Sequence, residues 1–271
     1  QPIIGVRNLA LSPDGSRVAF SYLGDIWVAP SAGGRAIPLT SHIEMDDQPV
    51  WSPDGKTVAF GSNRYGNFDI FVVGADGGRP QRVTQSSSNE LPSDFSPDGQ
   101  TILFRCFRED NQASLYGVQV GSGKLTKYYT DNRDLRTPQF SPDGTKILFQ
   151  RNGFPNVRPR YQGSAAAEID VFDLATKTRK VVRNNGFQHL WARWTQDGSG
   201  ILAIAPTEVT PSARKMNVAP VKNTDNAART PNVLHISLSG AAKARTAFVG
   251  GAGVRYLSVS RDGKVMAFER D

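Results

Sequence analysis

The stretch Val50-Trp51-Ser52-Pro53-Asp54-Gly55-Lys56-Thr57-Val58-Ala59-Phe60 carries the pattern that decides the fold. Its Ser-Pro-Asp-Gly centre follows an aromatic residue and precedes a short apolar run. Proline presets φ near about −65°, and glycine accepts the left-handed conformation that closes a hairpin with a bulge. The stretch therefore predicts two antiparallel strands joined by a tight turn.

This turn recurs along the chain. Complete copies of Ser-Pro-Asp-Gly start at Ser12, Ser52, Ser96 and Ser141, and degenerate copies occupy 195–198 and 260–263. Successive copies lie 40, 44, 45, 54 and 65 residues apart. A period of about 40–45 residues with four short strands in each unit is typical of a β-propeller.

The repeats predict one all-β domain over 1–271, a six-bladed propeller of four-stranded antiparallel blades. The expected blades span 7–40, 46–84, 90–130, 136–183, 190–249 and 254–271. The last unit supplies only two strands, so we expect an incomplete sixth blade. Because such a blade exposes an apolar edge, we also expect this chain to be a piece of a longer protein.

Composition and charge exclude several classes of protein. The chain has 271 residues, 32 Lys and Arg against 25 Asp and Glu, and one cysteine, Cys106. A single cysteine excludes an intramolecular disulfide and a cysteine-based metal site. No apolar run approaches the length of about 18 residues that predicts a membrane span, so we expect no membrane insertion. The net charge of +7 is dispersed and accompanies no recognition motif, so we expect no nucleic-acid partner.

The sequence lacks the common motifs of catalysis. It has no Gly-x-Ser-x-Gly elbow, no His-Glu-x-x-His, no phosphate-binding loop and no dinucleotide fingerprint. The histidines, His42, His189 and His235, fall in different units. We therefore expect no catalytic residue, no metal and no cofactor in this stretch. Whether the full-length protein is an enzyme, such as a serine peptidase, stays open.

The candidate ligand site lies on one face of the predicted propeller. Because successive strands alternate in direction, the Asp-Gly turns share one face, and the long segments 105–113, 151–167 and 205–231 share the other. Long loops in a compact domain are often functional. The candidate ligand-binding residues on this second face are Arg105, Arg108, Arg158, Arg160 and Tyr161. Guanidinium groups suit a carboxylate or phosphate, and the alternative is ordinary solvated loop charge.

Arg158 and Arg160 are the strongest of these candidates, because Pro159 stiffens the loop between them. We expect their joint replacement by alanine to weaken the binding of acidic peptides or peptide C-termini. Replacing Lys56 and Lys264 on the Asp-Gly face is expected to have no such effect. Near blades one and two the same loop-bearing face carries acids instead: Glu44, Asp46 and Asp47.

The quoted stretch, together with Asn67-Phe68-Asp69-Ile70-Phe71-Val72-Val73, resembles the TolB-type WD-like propeller repeat, and this resemblance covers nearly the whole chain. A narrower resemblance is to the N-terminal propeller of tricorn-like serine proteases. It rests on 11–15 with 21–27, on 161–172, and on 254–263 with 268–271. That family carries PDZ and protease domains further along the chain.

The narrower resemblance implies a non-catalytic propeller that guides or gates peptides, or docks protein partners that include the protease domain of the same chain. One alternative is a stand-alone TolB-type periplasmic interaction module. Another is the regulatory propeller of a different hydrolase, such as an amidohydrolase or an α/β-hydrolase peptidase. The resemblance also implies a periplasmic or secreted protein.

Overall fold

Each of the first five repeats forms a four-stranded antiparallel sheet in the computed structural model, as the turn pattern predicts. Within every sheet the strands are hydrogen-bonded in the order in which they occur along the chain. The structure describes residues 5–108, 112–152, 166–183, 188–206, 231–238, 244–248 and 255–269.

The bounds of the strands follow the repeat. The first blade contains β1 (Arg7–Leu11), β2 (Arg17–Tyr22), β3 (Asp25–Pro30) and β4 (Ile37–Pro38). The second contains β5 (Asp46–Trp51), β6 (Thr57–Ser62), β7 (Asp69–Gly74) and β8 (Gln81–Arg82). The third contains β9 (Leu91–Phe95), β10 (Thr101–Cys106), β11 (Ala113–Gln119) and β12 (Leu125–Asp131).

The next two blades repeat the arrangement. The fourth contains β13 (Leu135–Phe140), β14 (Lys146–Arg151), β15 (Glu168–Asp173) and β16 (Arg179–Arg183). The fifth contains β17 (Leu190–Trp194), β18 (Gly200–Pro206), β19 (Pro231–Ser237) and β20 (Ala244–Phe248). The described residues form no helix, so the predicted all-β propeller class is confirmed.

The prediction of six blades is only partly correct, because the described residues form five four-stranded blades. The sixth repeat forms a two-stranded sheet of β21 (Arg255–Val259) and β22 (Met266–Glu269), since its described residues supply a single hairpin. β21 nevertheless lies between β17 and β1. The Leu11 N–H donates to Ser258 Oγ at 3.1 Å, and the rings of Trp191 and Tyr256 are 5.2 Å apart. The hairpin therefore joins the fifth blade to the first.

The hydrophobic core lies between successive blades. Val58, Ala59 and Phe60 on β6 are all fully buried, which agrees with the lack of alternation in this apolar run. Phe60 packs in a cluster with residues of the first blade, whereas Ala59 packs in a cluster with residues of the third. Both faces of each inner sheet are thus covered, and the blades stabilise one another.

Side-chain hydrogen bonds fix the repeated turn. Ser52 Oγ donates to Asp54 Oδ1 at 2.6 Å, and the same carboxylate oxygen accepts the Lys56 N–H at 3.0 Å. Ser52 Oγ also accepts the Thr57 N–H at 2.9 Å. Gly55 has φ +70°, the left-handed conformation that the sequence predicts. A Cβ atom at Gly55 would lie 3.6 Å from Pro13 Cδ of the preceding turn, so adjacent turns are in contact.

Gly55→Ala is expected to lower the free energy of unfolding by about 1 kcal/mol, because alanine is strained at positive φ. The distance to Pro13 is an ordinary contact, so backbone strain is the whole of the expected loss. Lys56→Ala should be nearly neutral, since only the backbone of Lys56 bonds to Asp54. Urea unfolding of both variants measures the difference. Equal midpoints for the two would contradict this account of the turn.

The alternation of strand direction gives the propeller two distinct faces. The Asp-Gly turns and the turns between third and fourth strands lie on one face, which we call the turn face. The loops between second and third strands and the connections between blades lie on the other, which we call the loop face. The long segments 153–165 and 207–230, which belong to the loop face by their place in sequence, fall outside the described residues.

Candidate functional site

The innermost strand of each repeat lines a central channel of about 790 Å³. These strands are β1, β5, β9, β13, β17 and β21, each of which immediately precedes an Asp-Gly turn. Every repeat contributes residues to the lining of this channel. Pockets that combine convergent polar groups with perturbed titratable residues are the usual place to look for function.

A ring of β-bulges shapes the channel wall. In five of the six innermost strands, two residues oppose a single residue of the neighbouring strand. The first bulged residue has positive φ although it is not glycine, and it always lies four positions before the Ser or Thr of the turn. These residues are Asn8, Gln48, Thr137, Trp191 and Tyr256. Strained backbone of this kind is concentrated at functional sites.

The third innermost strand departs from this ring for a physical reason. Its equivalent residue is Pro92, whose ring fixes φ near about −65° and forbids the left-handed conformation. β9 accordingly carries a bulge of one residue, in which only Ser93 lacks a partner on β10.

Side chains of the innermost strands also connect neighbouring blades. In three of the innermost strands, the residue two positions before the turn accepts a backbone N–H of the next blade. Asp94 Oδ2 accepts from Phe140 N at 2.9 Å, and Gln139 Oε1 accepts from Trp194 N at 3.0 Å. The bond from Leu11 N to Ser258 Oγ described above is the third. These bonds join the third blade to the fourth, the fourth to the fifth, and the last hairpin to the first blade.

Positive charge predominates among the residues that line the channel. The lining contains five arginines and two aspartates: Arg7, Arg105, Arg136, Arg193 and Arg261, with Asp47 and Asp94. Asp134, the last residue of the loop before β13, accepts Arg105 Nη1 on one oxygen and Arg136 Nη2 on the other, both at 2.6 Å. One carboxylate offsets only one of these two charges, and Arg7, Arg193 and Arg261 lie outside this group.

Asp94, Arg193 and Arg261 form the most perturbed group of the channel. Burial raises the pKa of Asp94 to about 6, although the charge of Arg261 and the hydrogen bond from Phe140 N–H act in the opposite direction. Arg261 Nη2 lies 3.5 Å from Asp94 Oδ1 and donates to the Phe95 carbonyl at 2.8 Å. Burial lowers the pKa of Arg193, whereas the nearby charge of Asp94 raises it. A cation and an acid thus share a poorly solvated wall.

The structure places two of the five candidate residues inferred from sequence. Arg105 lines the channel, pairs with Asp134 and lies over the Phe107 ring at 5.0 Å. Arg108 Nε donates to the buried Glu90. Ligand binding by either residue stays a prediction, and each already has a carboxylate partner. Arg158, Arg160 and Tyr161 lie outside the described residues.

Other arginines of the loop face are paired in the same way. Arg151 Nε donates to Asp131 Oδ2 at 2.8 Å, and Arg133 Nη1 lies 3.2 Å from Glu168 Oε1. In the described part of this face, ion pairs within the fold therefore account for much of the basic charge.

The described residues contain no cluster of three or more His, Cys, Asp or Glu side chains that suits a metal ion. Cys106 is buried, and burial raises the pKa of its thiol to about 11, so it is no thiolate nucleophile at neutral pH. Within the same residues no helix is long and apolar enough to cross a bilayer.

Comparison with known proteins agrees with this architecture. The family model of the tricorn protease N-terminal beta propeller domain matches residues 7–202. A 75-residue stretch is 35% identical to the uncharacterized peptidase YuxL of Bacillus subtilis (strain 168), covering 24% of this chain and 11% of that protein. The chain thus spans about a tenth of the length of this curated relative.

Solved structures show the same fold at low sequence identity. A TolB structure from Agrobacterium tumefaciens is 18% identical with a TM-score of 0.73, covering 98% of this chain and 91% of that one. The tricorn protease is 17% identical with a TM-score of 0.71, covering 98% of this chain and 24% of that one. Because the family model takes in most of the sequence, the chain belongs to the family of tricorn protease N-terminal β-propeller domains.

Proposed function

We propose that this chain is a non-catalytic propeller domain of a tricorn-like peptidase, and that its central channel guides or gates anionic peptides. The observation that carries the proposal is the excess of guanidinium groups around a channel of about 790 Å³. Guanidinium groups form strong, directional hydrogen bonds with carboxylates, including acidic side chains and a peptide C-terminus.

Arg193 is the central residue of this proposal. It donates to the carbonyl of its neighbour Ala192 at 3.1 Å, and no carboxylate of the described residues forms an ion pair with it. Its charge therefore remains available to an anionic ligand in a poorly solvated wall, where electrostatic interactions are stronger than in water. The partial similarity to the peptidase YuxL and the similarity in fold to the tricorn protease support a role beside peptide hydrolysis.

Arg193→Gln is expected to weaken the binding of an acidic peptide with a free C-terminus about tenfold, because it removes a charge-assisted hydrogen bond. Isothermal titration with that peptide and with its amidated, uncharged counterpart measures the effect. The matched control is Arg79→Gln, which changes an exposed arginine that does not line the channel. Equal affinity of Arg193→Gln and wild type for the acidic peptide would contradict the proposal.

The same titration tests whether the candidate loop residues Arg158 and Arg160 bind the peptide. If the Arg158→Ala/Arg160→Ala variant loses the acidic peptide while Arg193→Gln retains it, the loop face binds the peptide and the channel does not. If both variants lose it, the peptide reaches from the loop face into the channel.

A second candidate function is a stand-alone TolB-type module that binds protein partners. The similarity of its fold to the TolB structure from Agrobacterium tumefaciens supports this alternative. A regulatory propeller of another hydrolase is the third possibility carried over from the sequence. For the first two functions we propose a periplasmic or secreted location, on the strength of the family resemblance.

A further inference from the structure

Four large apolar side chains stand exposed on the loop face of the first two blades, and together we call them the apolar patch. Leu23 is 83% exposed, Ile43 is 96% exposed, Met45 is 50% exposed and Tyr65 is 63% exposed. The other exposed large apolar residues of the described chain lie singly on different elements. Contiguous exposed apolar surface in a folded protein commonly marks an interaction site.

Backbone hydrogen bonds hold the segments of the apolar patch side by side. The Asp46 N–H donates to the Gly24 carbonyl at 2.8 Å, which joins the turn of Leu23 to the segment of Met45. The Met45 N–H donates to Asn63 Oδ1 at 2.8 Å, and the Asn63 N–H returns a bond to the Met45 carbonyl at 3.2 Å. Tyr65 follows two residues later. These bonds bring the segments that carry the patch side by side across the boundary between the first two blades.

The conformation of Leu23 shows that the hairpin itself does not require leucine. Leu23 has φ 52° and Gly24 has φ 90°, and they link the paired residues Tyr22 and Asp25. Two such residues form a type I′ turn, in which asparagine is the favoured first residue. Leucine here is both strained and largely in water, and neither condition favours the folded monomer. A contact made by its side chain with another molecule would explain its presence.

The charge around the patch indicates which kind of molecule would make this contact. Asp25 and Glu44 form no ion pair with a basic residue of the described chain, whereas Asp46 is neutralised by Arg64 and Asp47 lines the channel. The carboxylate of Asp25 instead accepts the His42 N–H, and that of Asp47 accepts Ser21 Oγ. This acidic surround occurs on a protein of net charge +7. It is complementary to a basic partner.

We propose that the apolar patch docks a polypeptide segment that presents apolar side chains flanked by lysine or arginine. Leu23, Ile43 and Met45 supply the apolar contact, and Asp25 and Glu44 select positive charge at its rim. The proposal is independent of the channel and of its anionic ligands, which have the opposite charge.

The test uses two amphipathic helical peptides with the same leucine positions. One has lysine at its polar positions and the other has glutamate. The lysine peptide is expected to bind wild type at least about tenfold more tightly than the glutamate peptide does. The double variant Leu23→Asn/Ile43→Ser should weaken the binding of the lysine peptide by a similar factor. Ile37→Ser/Val181→Ser, which removes two exposed apolar residues elsewhere, should leave its affinity unchanged.

Loss of binding in the patch variant is separable from loss of folding. Because asparagine suits the type I′ turn, Leu23→Asn is expected to keep or raise the Tm by a few degrees. The proposal is wrong if the lysine peptide does not bind wild type, if the patch variant binds it equally well, or if the glutamate peptide binds as tightly. Sedimentation that shows self-association of wild type, abolished in the patch variant, would assign the patch to a second copy of this chain and also overturn the proposal.

Discussion

Arg64→Ala is expected to destabilise the propeller by about 3–5 kcal/mol, because it leaves a buried carboxylate without its cation. Asp46 is completely buried, and Arg64 Nη2 lies 2.9 and 3.0 Å from its two oxygens. Arg64 Nε also donates to Ser62 Oγ at 2.7 Å, and its guanidinium lies over the Phe71 ring at 4.7 Å. Urea unfolding monitored by tryptophan fluorescence measures the loss.

Lys264→Ala is the matched control for this ion pair. Lys264 Nζ lies 3.3 Å from Asp262 Oδ2, but the lysine side chain is 80% exposed, so its removal should change stability by less than about 0.5 kcal/mol. Adding Asp46→Asn to Arg64→Ala should recover part of the loss, because the uncompensated charge is then gone. Similar unfolding midpoints for Arg64→Ala and Lys264→Ala would contradict the assignment of a buried pair.

Local chemistry explains why the blades were predictable from sequence. The turn from Ser52 to Gly55 satisfies its own polar groups and fixes one positive φ, so the same four residues produce the same hairpin wherever they occur. The apolar runs that follow are buried on both faces, as their lack of alternation indicates. Six turns do not guarantee six blades, however. A blade needs four strands, and the described residues 255–269 supply two.

The channel was much less accessible to sequence reasoning. Its bulges follow from position relative to the turn rather than from residue type, since Asn8, Trp191 and Tyr256 share no side-chain chemistry. Only asparagine among these is a usual occupant of positive φ. The fixed spacing of four residues before the turn was visible in the sequence, but nothing in it distinguished a bulge from a regular strand.

The charges of the loop face show a different limit. Sequence identifies Arg105, Arg108 and Arg133 as basic loop residues, but their partners, Asp134, Glu90 and Glu168, are distant in sequence or lie on another element. Pairing depends on tertiary position, so a count of arginines overstates the free positive charge. Arg193, a residue of β17, shows the converse, because only the structure places it in the channel wall.

Asp94→Asn is expected to gain stability relative to wild type as the pH rises from about 4 to about 7. The folded-state pKa of Asp94 is raised to about 6 from an ordinary value of 3.8, so between these values the folded protein retains a proton that the unfolded chain has released. Wild type therefore loses stability across this interval, at about 1.4 kcal/mol for each pH unit and about 3 kcal/mol in all. The asparagine side chain keeps an oxygen that accepts the Phe140 N–H, and it cannot ionise. The Asp94→Asn variant therefore does not lose this stability as the pH rises.

The opposite sign is expected for a turn aspartate. Hydrogen bonds from the Ser96 hydroxyl and the Gln100 N–H lower the pKa of Asp98, so its contribution is present above its ordinary pKa and is lost as the pH falls. Relative to wild type, Asp98→Asn should therefore become less stable as the pH rises through the acid range, while Asp94→Asn becomes more stable toward neutrality. Urea unfolding of the three proteins at successive pH values separates the two trends, and parallel pH profiles for wild type and Asp94→Asn would show that Asp94 is not a buried acid.

The ionisation of Asp94 also changes the charge of the channel, because above about pH 6 the ionised Asp94 offsets one arginine charge beside Arg193. An acidic peptide held by that wall should accordingly bind more weakly at pH 7 than at pH 5, and Asp94→Asn should remove this difference.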